Sequence, residues 1–128
     1  MLVTRLFILA GALGAAMVVW ALWRRSPRIA HVELDSIGMR GPAIVQFGTP
    51  NCGPCLRARP QLEQLARDTG VEYVDVDLLE RPDLASRYRI RSVPLILVTG
   101  PDGSVLGRWT GVPPGDEVRQ VARTAGGR

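Results

Sequence analysis

The sequence predicts one small α/β domain, with a mixed central sheet and helices on both faces, preceded by a single transmembrane helix. Three observations support this prediction. The chain has 128 residues, which is enough for one hydrophobic core of this kind. It opens with a long apolar run, and the remainder alternates between short apolar strands and amphipathic helices. The composition, 46% hydrophobic and 22% charged, excludes a disordered chain, a collagen-like repeat and a disulfide-dense scaffold.

The apolar run covers residues 6–23 and contains no charge, amide or proline. A helix of these 18 residues is about 27 Å long, close to the ~30 Å thickness of the hydrocarbon core of a bilayer. Trp20 and Trp23 lie at the end of the run, where aromatic rings favour the headgroup layer. We therefore expect residues 1–28 to form a membrane anchor with a basic flank, and residues 29–128 to form the soluble domain.

Two alternatives apply to the apolar run. A buried core helix is disfavoured because the domain that follows is too small to surround it. A cleaved signal peptide is a stronger rival, since Arg5 could be its basic n-region. The run is longer than a usual signal-peptide core, however, and it ends in a double arginine rather than in small residues. These features favour an uncleaved single span in the cell membrane.

The distribution of charge separates the anchor from the domain. The formal net charge is +4, but four of the 16 arginines lie in the first 28 residues, which contain no acid; the other residues carry 12 arginines and 12 acids. A neutral domain lacks the basic stripe on which nucleic-acid affinity depends, so no nucleic-acid partner is expected. The three arginines after the span favour a cytoplasmic domain. Because Arg5 and the amino terminus precede the span, the opposite orientation stays open.

Beyond a break at Ser26-Pro27, hydrophobic periodicity and turn residues define the elements of the domain. Strands are expected at residues 30–34, 43–47, 71–76, 95–98 and 105–109, and helices at residues 52–68, 82–88 and 116–125. This order of elements implies a mixed sheet with helices on both faces. The first of these helices is closed by Gly70, and four of its residues are expected on one apolar face: Leu56, Leu62, Leu65 and Ala66.

The chain has two cysteines, in the motif Cys52-Gly53-Pro54-Cys55, at a point where a strand leads into a helix. The first backbone amides of a helix lack internal partners and, with the helix dipole, stabilise an anion beside them. A thiolate at Cys52 would be stabilised in this way, and Cys55, one turn further on, can reach it to close a disulfide. Pro54 is tolerated because a proline in the first turn forfeits no intrahelical hydrogen bond.

Other uses of the two cysteines are less favoured. A zinc site needs about four ligands, whereas the chain offers two cysteines and one histidine, His31, which is expected to be exposed. A structural disulfide between residues three apart closes too small a loop to constrain the chain. Two incidental thiols stay open as an interpretation. The sequence also lacks a glycine-rich phosphate loop and a metal-ligand cluster, so neither an organic cofactor nor a metal is expected.

The soluble domain carries Cys52-Gly53-Pro54-Cys55, Pro60, Val93-Pro94 and Gly111, and with these residues at these separations it resembles the thioredoxin family. Cys52-Gly53-Pro54-Cys55 is identical to the redox motif of that family, and Pro60 falls where thioredoxins kink this helix. Val93-Pro94 opens an apolar strand and matches the cis-proline that faces the active site in the family. Gly111, after the last strand, matches a glycine that lines the substrate groove.

The resemblance implies a thioredoxin fold and thiol–disulfide exchange. It implies that Cys52 attacks a substrate disulfide, that Cys55 resolves the mixed disulfide, and that the backbone of Val93 pairs with the bound substrate chain. Disulfide-bonded proteins would then be the substrates, and an upstream electron donor, which the sequence does not name, would reduce the cysteines again. Three further residues would support the active site: Gly53, Pro54 and Pro94.

Three departures from the family pattern bear on activity. Asn51 stands where thioredoxins have a tryptophan, and Gln46 stands where they have a buried acid. An acid there can accept and return the proton of the resolving thiol, whereas an amide can only hydrogen-bond. Proton transfer would then depend on water or on a nearby acid, such as Asp75 or Asp77. The connection at residues 35–42 is also too short for the usual first helix of the family.

The leading hypothesis is a membrane-tethered protein-disulfide reductase, because a Gly-Pro dipeptide between the cysteines accompanies a reducing poise in this family. An alternative places the domain outside the membrane, as in anchored thioredoxin-like proteins that serve cytochrome c maturation or keep exported thiols reduced. A third hypothesis, favoured by Gln46 and Asn51, is a non-catalytic thioredoxin-fold binding module.

Overall fold

The computed structural model describes residues 1–24 and 29–127. The predicted break at Ser26-Pro27 and the flanking residues Arg25 and Arg28 lie outside the described residues. Four strands and four helices of the described chain are, in order, α1 (Leu2–Arg24), β1 (Ala43–Gly48), α2 (Gly53–Thr69), β2 (Glu72–Asp77), α3 (Pro82–Arg87), β3 (Leu95–Thr99), β4 (Val105–Thr110) and α4 (Gly115–Gly126).

Helix α1 contains the predicted apolar run, and all of its residues are exposed. The guanidinium of Arg24 stacks on Trp20, with 3.7 Å between its central carbon and the ring centroid. Of the helices in the described residues, α1 alone is long and apolar enough to cross a membrane, and a signal sequence at this position would have the same properties.

The domain is built on a four-stranded sheet in the order β2-β1-β3-β4. Strands β1 and β2 are parallel, whereas β3 is antiparallel to both β1 and β4. From β1 onward, the predicted strands and helices agree with the structure to within one residue at each end. The predicted mixed sheet with helices on both faces is therefore confirmed.

Two apolar layers cover the sheet, because successive residues of a strand point to opposite faces. Helices α2 and α4 cover one face, where Ile44 packs with Leu62 and Val118. Helix α3 and the segment before β1 cover the other face, where Phe47 packs with Leu84. All five side chains are fully buried. This packing holds the start of α2 against the end of β1, which is where the two cysteines lie.

The strand predicted at residues 30–34 is wrong. The structure pairs this segment with the rest of the sheet through one isolated bridge, between His31 and Ser104. The chain then enters a 3-10 helix at Leu34–Ile37, because its two end residues, three positions apart, both bury their side chains. The connection to β1, residues 35–42, lies within the described residues. It contains the end of this single 3-10 turn and no α-helix, as expected from its length.

The predicted apolar face of α2 is correct at Leu62, Leu65 and Ala66, which are buried, but wrong at Leu56, which is 51% exposed. The buried stripe of the helix begins at Cys55, one residue earlier. Because an α-helix turns by about 100° per residue, a stripe that begins at Cys55 leaves Leu56 on the solvent side.

Candidate active site

Three chain segments meet at one end of the sheet. The strand register pairs Phe47, near the end of β1, with Leu95, the first residue of β3. Leu95 pairs in turn with Thr110, at the end of β4. The cysteine motif follows β1, Val93-Pro94 precedes β3, and Gly111 follows β4. The structure therefore brings the predicted site residues to the same end of the sheet.

Cys52 and Cys55 are joined by a disulfide, with 5.2 Å between their Cα atoms. Cys52 is the N-cap of α2, and its Sγ accepts a hydrogen bond from the backbone amide of Cys55 at 3.2 Å. Gly53 is exposed and Pro54 half-buried in the first turn of the helix. Cys52 is 9% exposed and Cys55 2%, so Cys52 is the more accessible member of the pair.

The start of α2 favours a negative charge on Cys52. The amides of the first turn have no carbonyl partner within the helix, and the helix dipole adds partial positive charge there. In the reduced protein the Cys55 amide can donate to a Cys52 thiolate, and such charge-assisted hydrogen bonds are the stronger kind. Arg57 adds a cation beside the motif: a Cβ at Gly53 would lie 3.5 Å from its Nη1.

Pro94 and Gly111 are held together by the backbone. The amide of Gly111 donates to the carbonyl oxygen of Pro94 at 2.9 Å, and the Val93–Pro94 peptide bond is cis. Pro94 is buried, whereas Val93 and Gly111 are partly exposed. The roles of Val93 and Gly111 toward a substrate stay predictions.

Gln46 is fully buried and contacts the backbone of Cys55. Its Nε2 donates to the carbonyl oxygen of Cys55 at 2.8 Å, and its Oε1 accepts from the hydroxyl of Tyr73 at 2.7 Å. The position at which the family carries an acid is therefore filled by a hydrogen-bonded amide that connects β2, β1 and the first turn of α2.

The two acids suggested as substitutes for that acid are engaged elsewhere. The carboxylate of Asp75 pairs with the guanidinium of Arg59, and Oδ1 of Asp77 accepts from the amide of Leu79 at 2.8 Å. Within the described residues, neither carboxylate forms a hydrogen bond with a cysteine. Proton transfer through Asp75 or Asp77 stays a prediction.

Three residues of the site are absent from the predicted set: Gly48, Arg57 and Tyr73. Gly48 ends β1 and packs against the sulfur of Cys55. A glycine at the end of a strand, an arginine on a helix and a tyrosine on a neighbouring strand are common features. Their place in the site follows from distances that the sequence pattern does not contain.

The lone histidine lies away from the cysteines. His31 is exposed, as expected, and its Nε2 lies 2.6 Å from the carbonyl oxygen of Asp102, in the hairpin between β3 and β4. That hairpin is at the opposite end of the sheet from the cysteine motif. In the described part of the chain, the structure groups no three histidine, cysteine or acidic residues in a way that could hold a metal ion.

A Cys-x-x-Cys disulfide at the start of a helix, on a mixed four-stranded sheet with helices on both faces, defines a thiol–disulfide redox protein of the thioredoxin class. Comparison with known proteins agrees. The family model described as thioredoxin matches residues 32–124, most of the chain. The chain therefore belongs to the thioredoxin family.

Individual relatives show how far the similarity extends. Thioredoxin from Staphylococcus aureus is 29% identical over 96 residues, which are 73% of this chain and 91% of that protein. Chloroplastic thioredoxin M4 from Arabidopsis thaliana is 39% identical over 59 residues, 44% of this chain and 31% of the plant protein. This chain thus spans about a third of the plant protein.

Solved structures of the same family superpose on the domain. A mutant thioredoxin from Halobacterium salinarum has a TM-score of 0.63 at 28% identity and covers 73% of this chain and 82% of its own. Chloroplastic thioredoxin z has a TM-score of 0.60 at 29% identity and covers 74% of this chain and 85% of its own. The thioredoxin fold is therefore confirmed.

Proposed function

We propose that this chain is a membrane-tethered protein-disulfide reductase in which Cys52 attacks and Cys55 resolves. The observation that carries the proposal is the asymmetry of the pair. Cys52 is the more accessible cysteine, and its sulfur receives the Cys55 amide at the helix N-terminus. A thiolate is the reactive form of cysteine, and this environment favours it. Cys55 is 2% exposed and lies one turn away, within reach of a mixed disulfide at Cys52.

The exchange consists of two substitutions at sulfur. The Cys52 thiolate attacks one sulfur of the substrate disulfide, forms a mixed disulfide and releases the other substrate sulfur as a thiolate, which takes up a proton. Cys55 then loses its proton and attacks Cys52 Sγ, so that the Cys52–Cys55 disulfide forms and the second substrate thiolate leaves and is protonated. The substrate gains two electrons and two protons, and a dithiol reductant must restore the pair for the next turnover.

Four residues around the pair support access for a substrate chain. Gly53, which has no side chain, is exposed next to Cys52. The hydrogen bond between Gly111 and Pro94 holds two loops at the same end of the sheet. We propose that the backbone of Val93 pairs with the substrate there and that Gly111 lines the groove.

The exposed apolar helix α1 supports tethering to a membrane. The chain joins the sheet at the His31–Ser104 bridge, at the end opposite the cysteines. An anchor attached there leaves the active site open to partners in solution. We propose residues 1–28 as the anchor and residues 29–128 as the redox domain, on the cytoplasmic side that the arginines after the span favour.

Reduction of insulin disulfides by the full chain in detergent micelles, with dithiothreitol as the donor, tests the mechanism. We expect Cys52→Ser to lower the rate to the background of a Cys52→Ser/Cys55→Ser double variant. Cys55→Ser, reduced and then freed of dithiothreitol before insulin is added, is expected to accumulate a mixed disulfide, visible as a mass increase under non-reducing conditions. Turnover by Cys52→Ser above that background would contradict the mechanism, and an inactive wild type would favour the non-catalytic alternative.

The reduction potential of the Cys52–Cys55 couple tests the direction of the reaction. Equilibration of the full chain in micelles against dithiothreitol buffers should give a value near that of thioredoxins, about −270 mV. A value above about −180 mV, the range of protein disulfide isomerase, would indicate an oxidant or isomerase and favour a domain outside the membrane.

A membrane-impermeant maleimide tests the anchor and its orientation. After treatment of intact cells with a permeant reductant, a cytoplasmic domain should be labelled at the cysteines only once the cells are lysed. Labelling of intact cells would favour the extracytoplasmic alternative. An amino terminus downstream of α1 in the mature protein would show that the helix is a cleaved signal sequence.

A further inference from the structure

The strongest unexplained feature near the cysteines is the hydrogen-bonded pair formed by the buried Gln46 and the half-buried Tyr73. The Gln46 side chain is fully buried, and a buried amide is costly unless it is hydrogen-bonded. It makes one bond to the Cys55 carbonyl and one to the Tyr73 hydroxyl. These bonds form a continuous chain from β2, through β1, to the first turn of α2.

The chemistry of the three groups sets the direction of both bonds. The backbone carbonyl of Cys55 can only accept, so the amide nitrogen of Gln46 must face it. The amide oxygen of Gln46 then faces Tyr73, whose hydroxyl must be protonated to donate. Tyr73 therefore holds the Gln46 amide in the one orientation that donates to Cys55.

The surroundings keep the hydrogen-bonded groups of Tyr73 and Gln46 uncharged. Burial, followed by the negative charge of Asp75, raises the pKa of Tyr73, so its hydroxyl stays protonated. Asp75 is itself paired with Arg59. The charged side chains that act on Tyr73 are Arg59 and Glu63 on α2 and Asp75 on β2. Cys55, in the first turn of α2, is the titratable residue to which Gln46 is hydrogen-bonded. The residues of β3 and α4 in the same layer are apolar: Ile96, Val98, Val118, Val121 and Ala122.

We propose that Tyr73 is a positioning residue that acts through Gln46 on the resolving cysteine, Cys55. The neutral pair holds the turn that carries Cys55 against the end of β1, and it places no titrating group beneath that cysteine. This inference rests on the proposed function, because it needs Cys55 to resolve a mixed disulfide. In that step Cys55 gives its proton to water, attacks Cys52 Sγ and displaces the bound thiolate, which is then protonated.

Reaction of the reduced full chain, in micelles, with dithiobis(nitrobenzoate) isolates the resolving step. Attack by Cys52 releases one thionitrobenzoate and leaves the other bound as a mixed disulfide. Attack by Cys55 then releases the second. The first phase depends on reagent concentration and the second does not, so stopped-flow absorbance separates the two rates over a range of pH.

Tyr73→Phe is expected to slow the second phase by about fivefold, the equivalent of one neutral hydrogen bond, and to leave the first phase unchanged. Gln46→Met is expected to slow the second phase as well, and adding Tyr73→Phe to it should cause no further change, because Tyr73 acts through Gln46. Gln46→Glu is expected to add a second ionisation to the pH profile of the second phase, since it introduces a buried carboxyl.

Tyr88→Phe is the matched control. The Tyr88 hydroxyl also makes one hydrogen bond, from the amide of Glu33 at 3.1 Å, but it packs against the opposite face of the sheet. An unchanged second phase in Tyr73→Phe, or equal slowing by Tyr88→Phe, would overturn the positioning role.

Two other outcomes would also test the proposal or the proposed function on which it rests. If Tyr73→Phe does not fold, Gln46→Glu provides the test, and a profile with the single ionisation of the wild type would overturn the proposal. A wild-type protein that releases one thionitrobenzoate and not the second would instead refute the proposed function, because Cys55 would then not resolve.

Discussion

The sulfur of Cys55 packs directly against Gly48, the last residue of β1, and leaves no room for a side chain there. A Cβ at residue 48 would lie 2.8 Å from Sγ of Cys55 and 3.3 Å from its Cβ. Both residues are buried, so neither can relieve the contact by moving into solvent. Close approach of the cysteine, rather than an unusual backbone angle, is what requires glycine at this position.

Gly48→Ala is therefore expected to lower the free energy of unfolding by about 1–3 kcal/mol, the usual cost of overpacking a buried site. Urea denaturation of the oxidised protein measures this. Gly41→Ala is the matched control, since no heavy atom lies within 4 Å of a Cβ there, and its effect should stay within about 0.5 kcal/mol. Equal stability of the two variants would contradict the contact.

Gly111 requires glycine for a different reason. Its φ of 83° is in the left-handed region, while a Cβ there would meet open space. Gly111→Ala is expected to cost about 1–2 kcal/mol of backbone strain and to raise the KM for insulin, because the loop bonded to Pro94 must shift. Gly111→Asn should cost less, since asparagine tolerates this conformation better. Equal losses for both variants would show that strain is not the cause.

The raised pKa of Tyr73 predicts a loss of stability at high pH. Above about pH 10, the ordinary pKa of tyrosine, the unfolded chain loses this phenolic proton while the folded chain keeps it. The folded state then binds more protons, so the unfolding free energy falls as pH rises. Denaturation at a series of pH values above about 10 should show a shallower fall for Tyr73→Phe than for the wild type. Parallel curves would contradict the prediction.

The redox domain is expected to fold without the anchor. All residues of α1 are exposed, so the described core keeps all of its buried contacts when α1 is removed. Residues 29–128 should be soluble without detergent, unfold cooperatively and reduce insulin disulfides at the rate of the full chain. Circular dichroism and the insulin assay measure these properties. Aggregation of the isolated domain would place the boundary elsewhere.

Most of the fold could be predicted from local sequence patterns. The apolar run of β1, the end of α2 at Gly70 and the spacing of Cys52 and Cys55 depend on residues close together in the chain, where periodicity and turn chemistry act. Gly70 has the left-handed φ of 73° expected of a residue that ends a helix. The order of elements, the fold class and the redox motif could therefore be predicted.

Two predictions failed where packing overrode the local pattern. Residues 30–34 alternate like a strand, yet their pairing is limited to the His31–Ser104 bridge. Leu56 fits an apolar face by composition, but the burial of Cys55 rotates that face away from it. In both cases the outcome depends on packing against another element: the β3–β4 hairpin for residues 30–34, and β1, where Gly48 contacts Cys55, for the face of α2.

By itself, the sequence determined the reactive sulfurs, the apolar helix before the domain and the presence of an amide at position 46. Only the tertiary structure decided what that amide does. Gln46 is nine residues from Cys55 and 27 from Tyr73 along the chain. Their contacts depend on the parallel register of β1 and β2 and on the seating of α2 over β1, which arise when the sheet and helices pack together.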